Sequence, residues 1–490
     1  LKFGLSLVIV FRLNRIATMI RLASASLLTW LGAAHLDGDD TVSLLQRKLQ
    51  EGLEDEHLGD TEGTEAGQSE YYWAGKNGDA FRTGGAAYNV PTHLDAGPAW
   101  SWHEENNGLV RAAPLIDDKK NIYLASIAGN VYKFSPGGKV LWTHRAGASI
   151  PDVPALMDGA LYATTNRGEV IALDMETGEQ RWKKKVARAS AGDTWSMTAS
   201  DGTVVAALSQ IGAQNGYIAA LTAADGTELW TFKPKFAVYN SLSAVRNGSL
   251  VLSDLTGRVY RLNLKDGKLV WESPPGLGGK EKEGFTTGGA VIGPNGLVYV
   301  TSNAKSSPFD KGHGYVTAFK FDDGSLVWRK GTEYQANNAA AVGRMGNQMA
   351  VVVGVGENPD MPDATMQMLK IAPKKEKKGR ILALSAETGD ELWRLELPTW
   401  HGWAAGDTIS HVCLPDSFGN PAISGDGTVF VGFESGLFYA VNDRNNDGRI
   451  SEDEVSSYDT KNAFQGSPGL APGMVVATPC NGMHVFRTNE

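Results

Sequence analysis

The chain has 490 residues, a formal net charge of −9, 42% hydrophobic residues, 58 glycines, 13 tryptophans and only two cysteines. The acidic balance gives no support for nucleic-acid binding, and two cysteines exclude a disulfide-rich scaffold and a four-cysteine zinc site. So many glycines and tryptophans, in a chain long enough to bury a large core, suit numerous strands joined by tight turns.

Residues 1–18, which start at Leu1, read as an upstream extension or part of a longer targeting segment. From Met19 the pattern is that of a secretory signal: Arg21, an apolar run over 22–31, and the small residues Gly32-Ala33-Ala34, with cleavage expected after Ala34. The alternatives are a short buried helix or an uncleaved membrane anchor. The run is shorter than the ~20 residues a span needs, although residues 5–11 are also apolar. Residues 35–70 are acidic and poor in aromatics; only 42–49 could form an amphipathic helix. Such a stretch cannot bury enough surface to offset the entropy of ordering, and it reads as a tether or propeptide.

Aromatic residues return at Tyr71-Tyr72-Trp73, followed by a glycine-rich lead-in to Leu94 and a strand over 99–103 carrying Trp100 and Trp102. From there one unit repeats. Ile171-Ala172-Leu173-Asp174 runs through Thr177-Gly178 to Trp182, and related strips end on Trp142, Trp230, Trp271, Trp328 and Trp393. Alternating apolar residues define a strand face, the Thr-Gly, Asp-Gly or Gly-Gly pair supplies the positive φ of a hairpin, and the Trp returns on the next strand. Inner hairpins near 112–134, 154–174, 197–222, 242–263, 288–320, 339–385, 421–442 and 467–486 give eight units. Successive Trp residues stand about 40 residues apart where no insertion intervenes, as in a four-stranded propeller blade; 303–313 and 357–378 read as inserted loops. The last unit lacks its own Trp strand, so the strand at 99–103 is expected to close the ring in the last blade. The expected organisation is a targeting segment (1–34), an acidic tether (35–70) and an all-β, eight-bladed propeller (71–490).

Four local features stand out. Asp443-Arg444-Asn445-Asn446-Asp447-Gly448-Arg449-Ile450-Ser451-Glu452-Asp453-Glu454 matches an EF-hand calcium loop at every position. Asp443, Asn445, Asp447, the Arg449 carbonyl, Ser451 and a bidentate Glu454 are the expected ligands. A strand enters this loop and at most a short helix leaves it, so it reads as a calcium loop inserted in a blade hairpin; an acidic surface turn without metal is the alternative. The long segment 398–421 holds Trp400, His401, Trp403, Asp407, His411 and Cys413. Its two readings are a packed cap over the ring, with Cys413 bonded to Cys480, and a ligand or transition-metal site. The basic cluster Lys374, Lys375, Lys377, Lys378 and Arg380 reads as a solvated loop, and Asn247-Gly248-Ser249 as a glycosylation sequon, an Asn-Gly turn, or both. There is no Gly-x-Ser-x-Gly nucleophile elbow and no phosphate-binding glycine loop.

The strip Ala172-Leu173-Asp174-x-x-Thr177-Gly178-Glu179-x-x-Trp182, with its copies, resembles the pyrroloquinoline-quinone-like repeat of the quinoprotein alcohol dehydrogenase-like propellers, over roughly residues 71–486. The resemblance implies eight blades docked on one another by the repeated Trp residues. One branch of the family carries the quinone and a calcium ion on the axis; another has the ring without the cofactor and acts as a binding scaffold. This sequence lacks the adjacent Cys-Cys pair of many alcohol-oxidising members, and no motif places a catalytic Asp, so no catalytic residue is assigned. The leading expectation is a calcium-binding, non-enzymatic scaffold of the secretory pathway or cell exterior. It would be a monomer without a membrane span in its mature form, holding a protein or small-molecule ligand on a propeller face. The alternative is a pyrroloquinoline-quinone (PQQ)-dependent oxidoreductase acting on alcohols or sugars.

Overall fold

The computed structural model describes residues 70–488 except 106–107, 188–194, 209–216, 239–243, 275–285, 305–311, 359–375, 408–411 and 414–415. The targeting segment, the acidic stretch up to residue 69, Lys374, Lys375 and His411 lie outside the described residues.

Eight four-stranded antiparallel sheets follow one another as the blades of a propeller. Blades 1 to 7 span residues 115–145, 155–185, 198–232, 244–272, 290–332, 341–396 and 422–459; blade 8 combines three strands over 469–487 with Trp100–His103. That last pairing is the expected closure: Trp100 lies opposite Val485, Ser101 opposite His484, and Trp102 opposite Met483. In a typical blade the inner strands are buried on both faces, as in Ala160–Thr164, while the outer strand, Gln180–Lys185, is largely exposed. The meander puts the turns joining strands one to two and three to four on one side of the ring, the turn face. Connections between blades lie on the other, the loop face.

The Thr-Gly-x-x-x-Trp strip has a double purpose. A register irregularity falls just before the tryptophan strand in six blades, for example between Gln180 and Trp182 and between Ala220 and Leu221. Such a bulge re-aims the side chain that follows it. Each tryptophan then leaves its own blade and lies on the three-to-four turn of the next. The indole N–H of Trp142 donates to the Met175 carbonyl (3.1 Å), that of Trp230 to Leu264 (2.8 Å), and that of Trp328 to Ala386 (3.0 Å). A Cβ on the turn glycine would sit 2.7 Å from the Trp142 ring at Gly178 and 2.6 Å from the Trp230 ring at Gly267. Trp100 continues the series onto Gly138 of blade 1, so the closure seam is docked like any other interface. Blade 8 has no three-to-four turn, because its outer strand arrives from the other end of the chain; blade 7 correspondingly carries no tryptophan in its outer strand, Val455–Asp459.

The glycine-rich lead-in is a structural element that the periodicity does not reveal. Residues 73–89 run once around the inside of the ring. Their backbone bonds to Ile116 of blade 1, Leu156 of blade 2, Val245 of blade 4, Ile292 of blade 5, Val342 of blade 6, Ile423 of blade 7 and Gly473 of blade 8. Arg82 reaches blade 3 through Met197 O (2.7 Å) and Thr198 Oγ1 (3.1 Å). The innermost strands are open edges facing the axis, and this segment supplies partners for their unpaired backbone groups. Gly75 and Gly78 bond each other in both directions, making a hairpin with Lys76 and Asn77 at its tip. Asn77 donates to Ala340 O (3.1 Å) and accepts from Asn420 (3.0 Å), so the tip extends along the axis to its loop-face end.

Candidate functional site

Three places could carry function: the axial tip, the cap over 398–421, and the loop over 443–454. At the axis, connections from different blades converge. Thr287, before blade 5, donates to Asp416 Oδ2 (2.8 Å) and to Asn337 O (3.1 Å). Asn337 and Asn338 precede blade 6; Asn303 donates to Asn337, and Asn338 donates to Phe418 O and Asp416 O. Segments this far apart in sequence meet only where innermost strands crowd together. Lys76 sits below them, 3% exposed. Burial lowers its ammonium to about pH 8, Asp416 opposes that shift, and Arg82 adds to it. The Asn337 Nδ2 donor is buried without an acceptor among the described residues. The axis thus holds one carboxylate, one ammonium and several amides, and the hairpin forms its floor.

The cap reading holds in part. Cys413 and Cys480 are bonded, with Cα atoms 5.9 Å apart, among Ala404, Ala463 and Leu109. Trp400 donates to Trp403 O (2.7 Å), and Ala405 N–H to Glu434 O (2.8 Å). Glu434 is fully buried; burial pushes it up to about 8, against the pull of Lys377 and of the Ser417 hydroxyl. His401 is exposed in a two-stranded pairing with Glu376, and among the described residues no group of three or more His, Cys, Asp or Glu is placed to hold a metal. The solvated reading of the basic cluster needs correction. Lys377 is 4% exposed beneath the cap, paired in strand register with Trp400 and donating to Asn358 O (3.3 Å). Arg380 is buried in blade 6 and bridges Glu333 and Glu396. A long aliphatic stem packs in a core when its charged end finds a partner; Lys378 alone of the described lysines in the cluster is exposed.

The expected calcium loop is the three-to-four turn of blade 7, on the turn face. A strand enters it, and a three-residue 3-10 turn, Glu452–Glu454, leaves it. Asp443 accepts from Asp447 N–H (3.1 Å) and Gly448 N–H (3.0 Å), Asn445 Oδ1 from Asp447 N–H (2.9 Å), and Asp447 Oδ1 from Arg449 N–H (2.8 Å). Glu454 accepts from Arg444 N–H (2.8 Å), Ser451 N–H (3.0 Å) and Ser451 Oγ (2.9 Å), which hold its carboxyl below the ordinary range, the Ser451 N–H foremost. The loop therefore folds its own side-chain oxygens inward. Its Arg449 side chain is exposed. The loop also occupies the position where the next turn glycine would receive Trp393. Asn247-Gly248 is an exposed turn with both residues at positive φ (48° and 67°), as an Asn-Gly hairpin requires.

The axial constellation is invisible to motif reading, because Lys76, Thr287, Asn337 and Asp416 follow no local spacing. The sequence signal that could have marked it is the run of small and polar residues before the innermost strands of blades 5 and 6, as in Thr286-Thr287-Gly288-Gly289 and Asn337-Asn338-Ala339-Ala340.

A polyvinylalcohol dehydrogenase of a Sphingopyxis strain is 25% identical over 403 residues, 75% of this chain and 52% of that protein. BamB of Escherichia coli K12 is 24% identical over 175 residues, 33% of this chain and 42% of that protein. The chain thus spans about half or less of these relatives' length. The solved structure of a europium-containing methanol dehydrogenase superposes with a TM-score of 0.60 at 12% identity, covering 85% of this chain and 91% of that one, a likeness of fold. These findings overturn the expectation of a non-enzymatic scaffold: the similarity to the polyvinylalcohol dehydrogenase runs through most of the chain, that to the Escherichia coli BamB through a third of it. No helix among the described residues is long and apolar enough to cross a membrane. The repeat model matching residues 127–275 and 214–468 covers more than half of the sequence, and on that ground the chain belongs to the family described as outer membrane protein assembly factor BamB.

Proposed function

We propose that this propeller is a PQQ-dependent oxidoreductase of the alcohol- or sugar-oxidising kind, working at the loop-face end of its axis. The observation that carries this reading is the convergence of Asp416, Thr287, Asn337, Asn338 and Lys76 on one buried point. The donor set suits a quinone: Lys76 and the amide of Asn337, whose Nδ2 is buried without an acceptor among the described residues, would hold carbonyl or carboxylate oxygens. A bound quinone supplies the two-electron acceptor. The chain supplies the rest. Thr287 fixes the Asp416 carboxylate, which is the group that takes the proton of a substrate hydroxyl. The hairpin beneath closes the axis from the turn face, so substrate enters from the loop face. The loop Asp443–Glu454 is assigned a calcium ion through Asp443, Asn445, Asp447, the Arg449 carbonyl, Ser451 and Glu454, with a structural role at the blade 6–blade 7 interface. Secretory or exterior location and a monomeric state complete the reading.

The test is titration of the full chain with the quinone in the presence of calcium, followed by dye-linked oxidation of primary and secondary alcohols and aldoses. Saturable quinone binding with turnover lost in Asp416→Asn, and binding retained, supports the proposal. Absence of saturable quinone binding overturns it.

A further inference from the structure

Trp393 breaks the pattern of the docking indoles. At six blade interfaces the indole N–H donates to a main-chain carbonyl of the next blade, as Trp182 does to Ala223 O (2.9 Å) and Trp271 to Phe321 O (2.9 Å). The acceptor lies just past the third strand: Ala223 follows Ile218–Thr222, and Leu264 follows Val259–Asn263. In blade 7 the third strand is Leu437–Val441, and Asn442 and Asp443 come next. Trp393 is 3% exposed, yet its N–H makes no hydrogen bond to them or to any other described residue. A Cβ at Gly448 would lie 3.1 Å from Leu392 O and within 4 Å of nothing else, whereas one at Gly178 or Gly267 would press on the docked ring. The long loop does not reach the indole as a short turn does.

In place of that contact lies a cavity of 260 Å³ on the turn face. Met345, Leu392 and Trp393 wall it on the blade 6 side, and Asp443, Asn446 and Asp447 on the blade 7 side. The Trp393 nitrogen is not sealed in the core. Asn442 and Asp443, which stand where the other indoles find their acceptor, are both cavity wall. The unpaired N–H therefore opens into the cavity. A nearly buried donor without an acceptor is costly, so an oxygen brought by a ligand is favoured there. The axial group is on the opposite face of the ring, so this is a separate place.

The walls select among ligand chemistries. A cation would meet the loop carboxylates and leave the indole N–H unpaired. An anion would pair with the N–H and face two carboxylates. A neutral ring with adjacent hydroxyls serves both walls, because each hydroxyl donates and accepts, and its C–H surface suits Met345 and Leu392. A carboxylate has about four lone-pair sites, so Asp443 and Asp447 can serve a hydroxyl beside a bound ion. The volume is below the roughly 300–1,000 Å³ of drug-sized sites, the scale of one sugar ring. We propose that the blade 6–blade 7 cavity binds a single neutral pyranose. One hydroxyl oxygen accepts from Trp393 Nε1–H, and its neighbours donate to the Asn446 amide oxygen and the loop carboxylates.

The test is titration of the full chain, without quinone and in calcium buffer, with the methyl α-glycosides of D-glucose, D-galactose and D-mannose. Indole N–H resonances are followed by NMR, the Trp393 signal being the one missing from Trp393→Phe. At least one glycoside should bind saturably and move that signal. Trp393→Phe should bind it about tenfold more weakly, one lost donor being worth about that factor. Asn446 sits at φ 56°, where glycine is at ease; Asn446→Gly keeps the loop backbone and should weaken binding at least about threefold. The proposal is overturned if none of the three glycosides binds at about 10 mM, if binding leaves the Trp393 signal in place, or if Trp393→Phe binds as the parent does. Should that variant not fold, unchanged affinity in Asn446→Gly overturns it instead. A signal that answers to tetramethylammonium or acetate and not to the glycosides assigns the cavity to an ion and overturns it likewise. None of these outcomes depends on quinone binding at the other face.

Discussion

Gly267 and Gly248 share a φ of +67°, but only one faces a neighbour. A Cβ at Gly267 would lie 2.6 Å from the Trp230 ring, whereas at Gly248 nothing lies within 4 Å. Gly→Ala at either site incurs the left-handed penalty of about 1–2 kcal/mol. At Gly267 the new methyl also displaces a ring that is 8% exposed and whose N–H bonds Leu264 O. Overpacking of this kind adds about 1–3 kcal/mol, and the strained hydrogen bond about 1 kcal/mol. Gly267→Ala is therefore expected to destabilise by about 3–6 kcal/mol and Gly248→Ala by about 1–2 kcal/mol. Urea unfolding followed by tryptophan fluorescence reads the difference. Trimming the ring first, in Trp230→Leu, should bring the cost of Gly267→Ala down to that of Gly248→Ala. Equal costs at the two glycines in the parent protein would refute the docking account and leave the repeated Thr-Gly as turn chemistry alone.

Further outcomes are expected elsewhere in the ring. His484, on the closure seam, is 5% exposed and bonds Ser101 Oγ (2.7 Å); burial, and then the His103 imidazole, lower it to about 4. Because its folded value lies below the unfolded one of about 6.5, its contribution is complete above pH 6.5 and lost as pH falls towards 4, at about 1.4 kcal/mol per unit, or about 3 kcal/mol in all. Stability of His484→Gln measured beside the parent should lack that component, and parallel pH curves would exclude it. Calcium should raise the melting temperature by mass action, and Glu454→Gln should abolish the rise; an unchanged response in the variant would reject Glu454 as a ligand. Replacing Cys413 and Cys480 by Ala should cost about 2–4 kcal/mol, and a loss below 1 kcal/mol would show that the cap is held by packing instead.

Much of the architecture was legible because each blade restates the same physical demand. A tight turn, an apolar inner strand and a docking indole recur, and counting them exposed both the number of blades and the missing outer strand that Trp100 and Trp102 supply. The lead-in was not legible because its partners are many: residues 73–89 bond to one blade after another, so no periodicity marks them, and their small residues resemble a linker. Lys377 and Arg380 were misjudged for a related reason. Their charge is compensated by Asn358, Glu333 and Glu396, none adjacent in sequence. The axial group shares that non-local character. The EF-hand-like loop is the opposite case, wholly local and complete in sequence, with its inward-turned oxygens held by its own backbone.

The segment that fills the axis and then closes blade 8 also orders events in time. It emerges from a ribosome or export channel before blades 1 to 7, yet the strand it must pair with, Gly482–Arg487, emerges after them. Until then its backbone groups have only one partner each on blades that are still arriving. Loop closure over nearly the whole chain must precede the reward of those contacts, which is the circumstance of slow, non-local folding. A stalled or shortened chain would leave an open arc with bare inner edges, exposed to pairing with its neighbours. The arrival of Gly482–Arg487, more than the formation of any one blade, is the step that commits this ring to its native state.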